Sequence, residues 1–129
     1  MKELGLALGG GGIKGFAHIG VLQVLSDFDI APHYLSGTSA GSIVAAFYAC
    51  GLLPYQMENA VGALRIKRYM DYNLSSMVRY AAGMAFPLFS GNFKGLISGK
   101  RIEKLIYKIT GGKKLRDVEM PLAIIACDI

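Results

Sequence analysis

The run Leu4-Gly5-Leu6-Ala7-Leu8 passes directly into Gly9-Gly10-Gly11-Gly12-Ile13-Lys14-Gly15, and further on His33-Tyr34-Leu35-Ser36 passes into Gly37-Thr38-Ser39-Ala40-Gly41. Each is a short strand-like run, a glycine-rich turn and the start of a helix-like stretch. The second turn has the form G-x-S-x-G, which in that setting lifts a serine out of the sheet on a sharp bend, a nucleophile elbow. The first is a run of glycines, which without Cβ atoms can turn several N–H groups toward one point. A serine on a tight turn with backbone donors beside it points to acyl-transfer chemistry more strongly than either turn alone.

The rest of the chain extends this alternation. A helix is predicted from about Lys14 to Phe28, with Phe16, Ala17, Val21, Val24, Leu25 and Phe28 as its apolar stripe and Gly20 letting it lie close to the sheet. The second strand is expected at about His33 to Ser36, after a turn in which Pro32 biases Ala31 to extended geometry. The helix from about Ala40 to Cys50 is apolar nearly all round and should be central, with Gly51 placed to stop it. Pro54 opens another helix to about Leu64. From Lys67 to Phe93 the periodicity weakens in a stretch crowded with Met, Phe and Tyr, read as a loosely helical cap on the core or a lipid-gating lid. An amphipathic helix then follows Ser98 as its N-cap, with Ile102, Leu105, Ile106 and Ile109 on one side and Lys100, Arg101, Lys104 and Lys108 on the other. Gly111-Gly112 ends it, and Lys113 to Glu119 forms a polar loop. Pro121 to Ile129 reads as a strand buried on both faces. The order β-α-β-α-α-(irregular)-α-β predicts an α/β fold, a mostly parallel sheet with crossover helices, in a single domain over residues 1–129. A fully buried strand at the close of the sequence leads to the expectation that the fold is incomplete at its C-terminus.

Composition narrows the classes. Hydrophobic residues make up 53% of the 129, ample core material for one domain. The net charge of +5 is mild and its basic residues form no long block, so a nucleic-acid arm is not expected. A weak attraction to anionic surfaces, membranes included, is as much as it licenses. Cys50 and Cys127 form no C-x-x-C, and the histidines have no zinc spacing, so free buried thiols in a reducing compartment and no metal are expected. The opening Met-Lys-Glu-Leu-Gly is a poor signal peptide, and the longest apolar run, Ile43 to Leu53, is too short to cross a membrane. A cytoplasmic location with peripheral membrane contact follows as an expectation.

Ser39 as a free alcohol is a weak nucleophile and needs a bend, a base and donors for an oxyanion. Gly37 and Gly41 serve the bend, since side chains two residues either side of the serine would clash. Gly10, Gly11 and Gly12 serve the donors, and Lys14 just past them can steady the loop or add positive field. Two other readings of the glycine run are weaker. Gly10 to Gly15 matches G-x-G-x-x-G, but Asp27 and Asp29 come before the second strand rather than at its end, where a dinucleotide site needs its acid. A phosphate-binding G-K-[ST] fails because Gly15 follows Lys14. The base is not evident. His18 lies about one turn into the first helix and reads as a surface or packing residue; His33, six residues before Ser39, cannot reach it; Lys14 is a remoter partner.

The motifs resemble the patatin-like phospholipase family, in its bacterial branch. The matching residues are Leu8 to Leu22, containing Gly9-Gly10-Gly11-Gly12-Ile13-Lys14-Gly15 and His18, then Gly37-Thr38-Ser39-Ala40-Gly41-Ser42, Gly95-Leu96-Ile97-Ser98-Gly99 and Pro121 to Asp128. The likeness spans nearly the whole chain, with Lys67 to Phe93 the least family-like. It implies a three-layer α/β/α fold and a serine acyl hydrolase of lipid esters, of phospholipase, lysophospholipase or esterase type, with a Ser-Asp dyad, no histidine and no cofactor. Carried over, Ser39 is the nucleophile, Gly10, Gly11 and Gly12 form the oxyanion hole, and Lys14, Gly15, Gly37 and Gly41 support loop and turn. The family's catalytic Asp sits in a D-G-G or D-G-A motif, and no Asp of this sequence precedes a Gly; Asp128 matches the acid that closes the last strand instead. The resemblance therefore places the dyad's acid outside these residues. On this reading the 129-residue chain by itself is nearly inactive and self-associates through an exposed strand edge. The alternatives are a non-catalytic lipid-binding or scaffold protein, and an acyltransferase on a related fold with a histidine partner.

Overall fold

Three parallel strands form an open sheet in the order β1-β2-β3: β1 is Gly5–Leu8, β2 is Tyr34–Thr38 and β3 is Leu122–Ile125. The computed structural model describes residues 3–63 and 99–126. Between β1 and β2 runs a 3-10 turn, Gly12–Phe16, continued by helix α1, Ala17–Asp27. Helix α2, Ala40–Ala49, and helix α3, Pro54–Ala63, follow β2, and helix α4, Lys100–Thr110, precedes β3. The predicted α/β architecture with a parallel sheet is present. The chain divides into two units, Met1–Ala63 with Ile106–Ile129, and Leu64–Leu105. Of the second, Gly99 to Leu105 are described; the predicted cap or lid at Lys67 to Phe93 lies outside the described residues, as do Ser98, Cys127 and Asp128.

The register is set at the start of the strands. His33 N–H donates to the Leu4 carbonyl at 2.7 Å, and Leu4 N–H donates to His33 Nδ1 at 3.0 Å. From there Gly5 pairs with Tyr34 and Leu8 with Gly37, while Gly37 pairs with Ile124 across the other edge. The ladder carries β2 through Gly37 to Thr38, beyond the Ser36 limit the sequence predicts, because Leu8 and Ile124 supply partners on both sides.

The core of the first unit is Leu8, Leu35, Ile19, Leu22, Val44, Ala45, Phe47 and Met57. Helix α2 is central as expected, with Val44 and Ala45 fully buried. Its end is a Schellman closure: Gly51, at φ 92°, gives its N–H to the Tyr48 carbonyl, and Leu52 N–H reaches the Phe47 carbonyl. Ile106 and Ile109 of α4 pack against this core.

Several local expectations need correction. The buried stripe of α1 is Ile19 and Leu22, 7% and 1% exposed, whereas Val21, Val24 and Phe28 are 47%, 54% and 73% exposed. The helix carries apolar residues on more than one side, so spacing alone did not select the face. Gly20 is exposed with nothing close to it; the intimate approach is made by Gly15, where a Cβ would lie 2.6 Å from Ala40 Cβ. At the start of α4 the Gly99 carbonyl accepts the Glu103 N–H at 2.8 Å; the predicted cap Ser98 lies outside the described residues. The polar loop after α4 contains a 3-10 turn, Leu115–Asp117, closed by Lys114 N–H donating to the Asp117 carboxylate. Strand β3 is not buried on both faces among the described residues: alternate positions are half-buried, and Ile125 is 62% exposed. Helix α2 lies against β3 and Leu122 packs on the core, and the alternation follows the pleat. Cys50 is a free, half-buried thiol.

Candidate active site

Only Ser39 separates the end of β2 from the start of α2. Its backbone stands at φ 52°, ψ −129°, a conformation that costs a non-glycine residue about 1–3 kcal/mol and persists only where the surroundings enforce it. Those surroundings are visible. The Ser39 carbonyl accepts two bonds from Ser42, the backbone N–H at 3.0 Å and the hydroxyl Oγ at 2.5 Å. A Cβ at Gly37 would lie 2.6 Å from Ser42 Cα, and one at Gly41 would lie 2.5 Å from the Gly9 carbonyl oxygen. Both positions are therefore closed to side chains by backbone, which cannot step aside. Ser39 itself is exposed.

The glycine run meets this turn because of the sheet. With Leu8 paired to Gly37, the residues that follow the two strands emerge side by side, at the carboxyl end of a parallel sheet where α/β folds place ligands. Gly10 comes closest: a Cβ there would stand 3.1 Å from Ser39 Cβ and 3.8 Å from its Oγ. Gly11 and Gly12 have φ of 154° and 56°, and Gly11 accepts the Lys14 N–H at 3.1 Å as the 3-10 turn begins. Neither Gly10 nor Gly11 gives its N–H to a backbone acceptor among the described residues. Gly15 seats the far side of the loop on Ala40, the first residue of α2. Lys14 is exposed within the 3-10 turn. The positive end of α2 adds to the field over the same spot. The arrangement joins an exposed serine on a strained turn to backbone donors that have no backbone partner among the described residues.

Neither histidine engages the serine. His18, second residue of α1, places Nε2 2.9 Å from the Gly9 carbonyl oxygen, and His33 is committed to Leu4 at the other end of the strands. Among the described residues no carboxylate or imidazole hydrogen-bonds Ser39 Oγ. Two contributors escaped the sequence reading. Ser42 holds the Ser39 carbonyl, a role its place three residues on, in the first turn of the helix, was able to signal. His18 anchors the glycine loop, for which its helical position gave no cue.

Gly41→Ala tests the packing of the turn. The methyl group would press on the Leu8 and Gly9 carbonyls, and such overpacking costs about 1–3 kcal/mol. Chemical denaturation should show that loss, whereas Gly20→Ala, in open space, should show no destabilisation. Equal stability of the two variants would mean the helix start does not bear on the glycine run.

Comparison with known proteins agrees with the motifs. A family model described as patatin-like phospholipase matches residues 6–127. The chain is 32% identical over 116 residues to "Lysophospholipase NTE1" of Coccidioides immitis, covering 90% of this chain and 7% of that protein. It has the same identity and coverage with "Lysophospholipase NTE1" of Yarrowia lipolytica. It is 26% identical over 128 residues to "Patatin-like phospholipase domain-containing protein 6" of Mus musculus, covering 99% of this chain and 9% of that protein. The chain thus spans less than a tenth of the length of these relatives.

Proposed function

The chain belongs to the patatin-like phospholipase family, and from that premise we propose that it carries the nucleophile and oxyanion half of a serine hydrolase acting on lipid esters, lysophospholipids among them. The observation that supports this most directly is the strained turn at Ser39 with Gly10 against its side chain. Ser39 Oγ attacks the ester carbonyl and hands its proton to a carboxylate. The carbonyl oxygen takes up negative charge and receives N–H bonds from Gly10, Gly11 and Gly12. Collapse expels the alcohol, which leaves with the proton, and water then cleaves the acyl-enzyme by the same route in reverse.

The carboxylate is an Asp of a Ser-Asp dyad. No Asp of this sequence precedes a Gly, and the relatives run far beyond the matched segment, so we place it in further sequence of the intact protein. The family match runs through both units, which supports one patatin-like domain over these residues. The engagement of His18 with Gly9 and of His33 with Leu4 weighs against the acyltransferase reading, which requires a free histidine at the serine. Among the described residues no helix is long and apolar enough to cross a membrane; from the net charge of +5 we propose a weak peripheral contact with anionic lipid surfaces.

A fluorophosphonate probe distinguishes hydrolase from binding protein. The intact protein should carry the adduct on the Ser39 peptide by mass spectrometry and release fatty acid from lysophosphatidylcholine micelles. Fatty-acid release with no adduct at Ser39 would transfer the chemistry elsewhere, and neither signal would favour the lipid-binding reading.

A further inference from the structure

His18 has a use that the Ser-Asp chemistry leaves open. Its Nε2 stands 2.9 Å from the Gly9 carbonyl oxygen, which only accepts, so Nε2 carries the proton in this bond and is not available as a base. The peptide so held is the Gly9–Gly10 link. It is planar and trans, so the Gly10 N–H points opposite to the carbonyl that His18 grips. Gly10 is also the loop residue at which a Cβ would stand 3.1 Å from Ser39 Cβ.

A peptide between two glycines is unusually free to turn over, because both flanking residues accept φ values closed to others. Turning over this link would exchange its groups, presenting the Gly9 carbonyl where the N–H had been. A partial negative charge would then face the developing oxyanion. Two features oppose that exchange: the close approach of Gly41, where a Cβ would lie 2.5 Å from the Gly9 carbonyl oxygen, and the His18 bond. The first limits space; the second, among the described residues, supplies attraction to the correct orientation.

We propose that His18 is a positioning residue that locks the Gly9–Gly10 peptide with its N–H free for the substrate oxyanion at Ser39. This rests on the serine-hydrolase reading above for its effect on turnover, but not for its effect on the loop. The imidazole never exchanges a proton with substrate; it restrains one peptide plane.

The test compares His18→Leu with His18→Gln in the intact protein. Glutamine places an amide N–H near the position of Nε2 and keeps the donor; leucine removes it. His18→Leu should lower kcat about 10- to 100-fold, the scale of a misaligned catalytic donor, with KM little changed. It should weaken a trifluoromethyl ketone, which mimics the charged intermediate, by the same factor, and His18→Gln should restore most of both. Hydrogen exchange gives a readout that needs no activity: the Lys14 N–H, held by the Gly11 carbonyl at 3.1 Å within the same loop, should exchange faster in His18→Leu and near wild type in His18→Gln. Unchanged exchange in His18→Leu would overturn the lock. Equal loss of kcat in both variants would also overturn it, in favour of a general base. A fall in thermal stability with kcat and ketone affinity intact would reduce His18 to a packing residue. A wild-type protein without a Ser39 adduct would sink the hydrolase reading instead, while the exchange comparison would still decide whether His18 holds the loop.

Discussion

Ser39→Ala is expected to lower ester turnover by about 10⁶-fold, the scale seen when a serine hydrolase loses its nucleophile. The same variant should abolish fluorophosphonate labelling of the intact protein. Its stability should hardly change, because alanine inherits the φ of 52° and its cost. Ser39→Gly separates the two properties. Glycine adopts that conformation freely, so the variant should be equally inactive but more stable by about 1 kcal/mol, the lower end of what such strain costs. Denaturation and turnover measured on both variants check this. Retained turnover in Ser39→Ala would remove the serine from the mechanism. Stability lost in Ser39→Gly would mean the turn is not strained in the folded protein.

The second large effect is expected at Gly12. A Cβ there meets nothing within 4 Å, so Gly12→Ala introduces no clash. The cost lies in the backbone: φ is 56°, where an L side chain is disfavoured by about 1–2 kcal/mol. A small rotation relieves this and, on the proposed chemistry, turns the loop's N–H groups away from the oxyanion. Losing one such donor typically lowers kcat about 10²–10³-fold. The variant should therefore fold with a modest loss of stability and fail at catalysis, measured as kcat against the denaturation midpoint. A lower midpoint with kcat intact would assign the glycine to packing alone.

Much of this was readable in the chain itself. The two glycine turns sit where strand pairing brings their ends together, and Gly37 and Gly41 bear the packing that a G-x-S-x-G turn predicts. The central helix α2 was legible because it is apolar all round and ends at a glycine. The buried face of α1 was not, because Val21, Val24 and Phe28 imitate a stripe as well as Ile19 and Leu22 do; only the packed sheet chooses between them. Gly20 and Gly15 were equally suitable for a close approach on the helix, and distance to Ala40 decided for Gly15. The bond from His18 to Gly9 joins residues nine apart through a bend, which no periodicity encodes.

The paired bonds between Leu4 and His33 have a bearing on activity far from where they sit. A slip of β1 by one residue along β2 would carry the glycine loop about 3.3 Å past the serine, beyond the reach of a hydrogen bond, and would turn Leu8 away from the core. An aligned active centre therefore vouches for the alignment of the strands beneath it. Catalytic rate in variants at His33, at the opposite end of the sheet from Ser39, becomes a gauge of whether two neighbouring strands have threaded correctly.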